Sequence, residues 1–182
     1  TGSNNVIFGL EAGHNNISGS DNINIGYKTG YKSTINNNNI HIGYEAGYES
    51  VADNNIFIGR NAGVNNTTGT NNIFLGIDAG YGDNPSSQQT GDNNIFMGAS
   101  AGKFNNSGKR NIYMGYQSGK ANITGTKNVF IGNNAGSNSS TSHNVFIGSA
   151  QADDTGVGWK STTGGEHNLF IGHDVGIDNT TG

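Results

Sequence analysis

Residues able to do acid–base, metal or covalent chemistry are few in this chain, and most stand outside its regular pattern. Two of the five His, His143 and His167, each lie five residues before an equivalent Gly, with His173 and Asp174 close in sequence. Imidazoles brought together in this way can share a metal ion. No third ligand follows at a recognised spacing, so neither a metal nor another cofactor is expected. Calcium binding of the kind other β-rolls make through a G-G-x-G-x-D run is not expected, because that run does not occur. Asp153, Asp154 and Glu166 are the one carboxylate cluster, and they fall in an irregular stretch. Catalysis needs an acid, base or nucleophile held at a fixed position. The positions that recur here carry Asn, Gly and aliphatics, so the chain is not expected to be an enzyme.

Binding chemistry has better candidates. The only Trp, Trp159, lies in a long irregular stretch, where it could stack on a sugar ring or pin its own loop. Tyr27, Tyr44 and Tyr116 follow an equivalent Gly directly, and Tyr31, Tyr48 and Tyr81 lie five residues after it. Such a Tyr edge could contact carbohydrate, meet neighbouring molecules or shield a corner. Asn-x-Ser/Thr sequons occur at Asn16, Asn65, Asn66, Asn105, Asn122, Asn138 and Asn179. Most share one register, and this marks Asn16, Asn66, Asn105, Asn122 and Asn179 as candidate glycosylation sites.

That register comes from a repeat. Aligned on the Gly that closes N-N-I-F-I-G, ten copies run through Gly9, Gly26, Gly43, Gly59, Gly76, Gly98, Gly115, Gly132, Gly148 and Gly172. Seven of the nine spacings are 16 or 17 residues, too short for paired helices or a propeller blade. β-Branched and aromatic residues precede each Gly, and Gly, Asn, Ser and Thr fill the remainder, as short strands and turns require. The pattern predicts an all-β fold, a parallel β-solenoid (β-roll) of about ten 16–17-residue coils in one domain spanning 1–182. Two loop insertions fall near 82–92 and 152–167. Stacked about 4.8 Å apart, ten coils make a rod roughly 45–50 Å long. At the second insertion Gln151 and Ala152 replace the usual Ala-Gly, so the backbone path is expected to change there.

Columns down the stack carry different duties. Four residues before each Gly stand Asn5, Asn22, Asn39, Asn55, Asn72, Asn94, Asn111, Asn128, Asn144 and Asn168. Identity at every level predicts a ladder of amides hydrogen-bonded from coil to coil. The positions three and one before the Gly are aliphatic, except for Phe8 and two Met, and strand alternation puts both columns on one face. We expect that face to be the interior. The column between them would then point outward with Phe57, Phe74, Phe96, Tyr113, Phe130, Phe146 and Phe170. A continuous apolar stripe of that kind marks an interface between sister chains. The alternative is a cross-section that turns this column inward as ordinary core.

Composition limits the rest. Gly and Asn each occur 31 times, only 31% of residues are hydrophobic, and Cys is absent, so no disulfide framework exists. Low hydrophobicity alone would suggest disorder, but the apolar residues are locked to the repeat. No apolar run is long enough for membrane insertion. The net charge of −4 argues against a nucleic-acid partner. It is banded: residues 1–102 sum to −5, 103–127 to +5 and 128–182 to −4. A solvated basic face or lateral contact between copies would each account for the band.

Asn-aliphatic-x-aliphatic-Gly followed by x-x-Ala-Gly resembles the head repeats of trimeric autotransporter adhesins, and the shaft repeats of phage and bacterial trimeric fibres. The resemblance covers nearly the whole chain and implies a parallel β-roll, often trimeric, displayed at the cell surface for structure or attachment. The expected function is a structural or adhesive segment of an extracellular fibre or filament. Its expected partner is itself, as a homotrimer or head-to-tail filament. A carbohydrate-binding module that uses Trp159 and the Tyr edge on surface glycans is the alternative.

Overall fold

The computed structural model describes residues 2–82, 89–149 and 165–175. Ten three-residue strands follow in order: β1 (Val6–Phe8), β2 (Ile23–Ile25), β3 (Ile40–Ile42), β4 (Ile56–Ile58), β5 (Ile73–Leu75), β6 (Ile95–Met97), β7 (Ile112–Met114), β8 (Val129–Ile131), β9 (Val145–Ile147) and β10 (Leu169–Ile171). They form one parallel sheet in sequential order. The register pairs each repeat position with its own copy, as in Phe57 with Phe74 and Ile58 with Leu75. The chain is therefore a β-solenoid, with no helix among the described residues. No helix of those residues is long and apolar enough to cross a membrane.

Two left-handed residues per coil bend the chain around each strand. One lies five before the motif Gly and the other two after it, with φ between 53° and 64° even where the residue is Arg110, Lys127 or Glu45. Asn and Asp tolerate that conformation best and fill the first position in the first six coils. The motif Gly itself has φ of 127° to 149°, and a Cβ on Gly98 would strike the carbonyl of Gly115 in the next coil. Only Gly satisfies both constraints.

The interior is narrow, and one correction follows. Of each three-residue strand only the middle side chain points in. Phe57, Phe96, Tyr113, Phe130 and Phe146 have no exposed surface, while their aliphatic neighbours lie half-buried or exposed on the outer face of the sheet. The Phe column is thus the core, and Phe57, Phe74, Phe96, Tyr113, Phe130 and Phe146 cannot be an oligomer interface. Phe170 packs partly buried at the end of the same column. The small wall opposite explains the choice of side. Each ring lies flat against the Ala and Gly three and four after the motif Gly, and a Cβ on Gly102 would come within 2.5 Å of the Phe96 ring. Large rings facing Ala-Gly fill a coil that two aliphatics per turn would overfill.

From His41 to Phe170 the rings stack at centroid separations of 4.7 to 5.3 Å, with planes within 18°. Tyr113 fits the stack, and burial raises the pKa of its hydroxyl.

Candidate functional site: ladders inside, an apolar face outside

The Asn ladder is present as expected, and it lies inside the coil beside the rings. Asn111 Oδ1 accepts the backbone N–H of Asn128 at 3.0 Å and its Nδ2 at 3.2 Å. In Asn5, Asn22, Asn55, Asn72, Asn94, Asn111 and Asn128, Nδ2 also donates to a carbonyl that closes the coil end, as from Asn111 to Gly125 at 2.8 Å. All ten ladder residues take part, from Asn22 onto Asn5 to Asn168 onto Asn144. Each step satisfies a buried backbone donor that would otherwise cost about 1–3 kcal/mol.

A substitution tests this directly. Asn111→Leu keeps the shape but strips the acceptor from two buried Asn128 donors and the donor from the Gly125 carbonyl. The expected loss is about 2–4 kcal/mol, read from the urea midpoint, while Asn133→Leu at an exposed position should cost under about 0.5 kcal/mol. Equal effects would remove the ladder from the list of stabilising features.

The sequons have a structural explanation. Asn66, Asn105 and Asn122 are buried, with relative exposures of 0, 2 and 0%. Their Nδ2 groups donate to the carbonyls of Gly69, Asn122 and Thr141. Asn16 is half-buried and braces the same turn, with Nδ2 on the Gly19 carbonyl and Oδ1 on the Gly19 N–H. The Ser/Thr that completes each sequon belongs to an Asn-x-Ser/Thr-Gly turn. A glycan cannot be carried on an amide inside the coil, so Asn66, Asn105 and Asn122 are withdrawn as glycosylation sites. Asn179 lies outside the described residues.

The Tyr candidates do line one corner, but ring on ring. Tyr27 and Tyr44 stack at 5.1 Å, Tyr31 and Tyr48 at 5.0 Å, and His14 extends the second stack. Each ring therefore has at least one face covered by its neighbour. Lys28 sits over this corner, 3.5 Å from Glu11 and 5.2 Å from the Tyr27 centroid. The hydrogen bond to Tyr27 and the charge of Glu11 raise the Lys28 pKa against partial desolvation. Tyr116 stands apart, half-exposed, its hydroxyl accepting from Gln117 at 2.9 Å.

His143 and His167 come together, stacked at 4.9 Å with planes 15° apart. Parallel rings aim their lone pairs side by side and do not converge on one ion. Among the described residues no group of three His, Asp or Glu is placed to hold a metal. Trp159, Asp153, Asp154 and the altered corner at Gln151 lie outside the described residues. Part of the basic band is tied to acidic neighbours, with Lys109 2.7 Å from Asp92 and Lys103 3.2 Å from Asp78.

The feature that sequence reasoning assigned to the wrong side is the outer sheet face. Two unbroken apolar columns run its length. One is Val6, Ile23, Ile40, Ile56, Ile73, Ile95, Ile112, Val129, Val145 and Leu169. The other runs from Phe8 through Ile58 and Met114 to Ile171. Even in mid-rod, Ile58 and Met114 keep 38 and 37% of their surface in solvent. No family model, curated protein or solved structure matches this chain. Its function is therefore read from the geometry.

Proposed function

We propose that the chain is a structural segment of an extracellular surface fibre, a stiff rod whose role is to span distance and present what is attached to it. The observation that carries the reading is the uninterrupted coil-to-coil bonding. The strand ladder and the Asn ladder pass through all ten levels and the ring stack through the eight from β3 to β10, so the chain resists bending and shear along its length. Every residue type that recurs supports the rod, and the reading assigns it no catalysis. Surface attachment to glycans or other receptors would belong to loops or to domains carried by the rod.

A rod of equivalent coils tolerates the loss of one. Deleting residues 99–115, one full 17-residue period from Gly98 to Gly115, should leave a folded molecule shorter by about 4.8 Å, measurable by small-angle scattering. Unfolding of the deletion variant, or an unchanged maximum dimension, would contradict the rod. Electron microscopy of the source cell with an antibody to the folded chain should label thin surface fibres. Diffuse intracellular label would overturn the location.

A further inference from the structure

Given that fibre reading, we infer that the outer aliphatic face is the seat of a second copy of this chain, packed parallel and in register. The face spans ten strands, about 45 Å along the rod at 4.8 Å per strand, with its two columns about 7 Å apart. With one flanking position on each side it covers roughly 900 Å², about what one partner contributes to a stable interface. Its centre is the two apolar columns, and a contiguous exposed apolar stripe marks a contact site. Its texture selects the partner. Side-chain ridges recur once per coil, so only a surface of the same period can interdigitate with them at every level, and a second copy of the chain has that period.

Charge at the two rims sets the direction. One rim lies five and six residues before each motif Gly, and the other lies one and two after it. When two copies run parallel and face each other, the first rim of each level meets the second rim of the same level. Asp21 then opposes Lys28 of the second copy and Asp53 opposes Arg60, and the one like pair is Glu166 with Asp174 at β10. Turning the second copy end for end would set Asp53 against Lys109 and Arg110 but also Glu11 against Asp174, and would lose the Asp21–Lys28 pair, so the parallel arrangement keeps more opposite pairs than like ones. Arg60 is exposed and has no ion pair among the described residues. Asp53 spends Oδ1 on the Asn37 N–H at 2.7 Å, which leaves Oδ2 for a partner.

Sedimentation equilibrium on the full chain, with circular dichroism to confirm folding, tests the contact. The wild type should be an oligomer. The triple variant Ile58→Thr, Met97→Thr, Ile131→Thr keeps the interior intact and should be a folded monomer. Arg60→Glu, which sets two carboxylates against each other, should weaken association about three- to tenfold, and adding Asp53→Asn should recover most of that. Since the chain has no Cys, Asn71→Cys with Ile77→Cys places thiols on opposite rims of one coil. In-register parallel copies should cross-link on oxidation. A wild-type monomer of full rod length overturns the contact and leaves the fibre reading standing, whereas a monomer that is not a rod overturns both. An oligomer that survives the triple substitution, or that fails to cross-link, overturns the face or the direction.

Discussion

Phe96→Ala should cost the rod about 4–5 kcal/mol, at the upper end of what core aromatic truncation costs. Phe96 is fully buried, 4.7 Å from the Phe74 ring and 4.8 Å from Tyr113. Truncation removes both stacking contacts and opens a void against Ala101 and Gly102. Cavity cost depends on how far the walls relax, and these walls are fixed. The Gly102 N–H donates to the Ser118 carbonyl and the Gly80 N–H to the Ala101 carbonyl, both at 2.9 Å. Collapse would break backbone bonds on either side, so the void stays open. The neighbouring Ile95→Ala, on the outer face, should cost the isolated chain only about 1 kcal/mol. Urea midpoints of the two variants decide between the two possible faces. If Ile95→Ala were the more damaging, the interior would be aliphatic and the rings external.

The fold was readable because the repeat fixes it. Spacing, strand composition and Gly placement converge on stacked coils, and the Asn column announces its own ladder. The inward face was misread through one parity choice. Asn, aliphatic, aromatic, aliphatic, Gly can alternate in either phase, and counting apolar residues favours two aliphatics inside. The Asn column contains the correction. An amide ladder is worth keeping at every level only where water cannot compete for its donors, which puts Asn inside. Alternation then carries the aromatic inward with it. Ala-Gly after the motif Gly gives the same answer, since small residues leave room for one ring. The sequon register failed for a related reason. Asn-x-Ser/Thr-Gly serves as a turn brace in this coil, and a pattern match cannot distinguish a buried turn amide from an exposed acceptor.

Acid should loosen the N-terminal end of the rod first, through His41, the one imidazole in the ring column. Beyond His41 the ring column gives way to Asn24 and then Ile7. The imidazole stacks on Phe57 at 5.3 Å, and its Nδ1 lies 3.0 Å from Asn24 Oδ1. Nδ1 therefore carries the proton and donates, while Nε2 is buried without a partner. Burial lowers the pKa of His41 from 6.5 to about 3. In the unfolded chain the imidazole takes its proton near pH 6.5, and in the fold it does so only near pH 3. Stability from this group is complete above pH 6.5. It falls by about 1.4 kcal/mol per unit as pH drops below that value, and levels off near pH 3. The total approaches about 4–5 kcal/mol, enough to detach β1 to β3 from the remaining rod, because each coil is held by its neighbours alone. Hydrogen exchange at the Gly26 and Gly43 amides should quicken between pH 6.5 and pH 4, after correction for intrinsic exchange, while the Gly115 and Gly132 amides stay protected. His41→Phe removes the titrating group, so the difference between the two pH profiles isolates it, even though Asn24 Oδ1 then loses its partner. Parallel profiles for wild type and variant would show that the imidazole is not held neutral in the core.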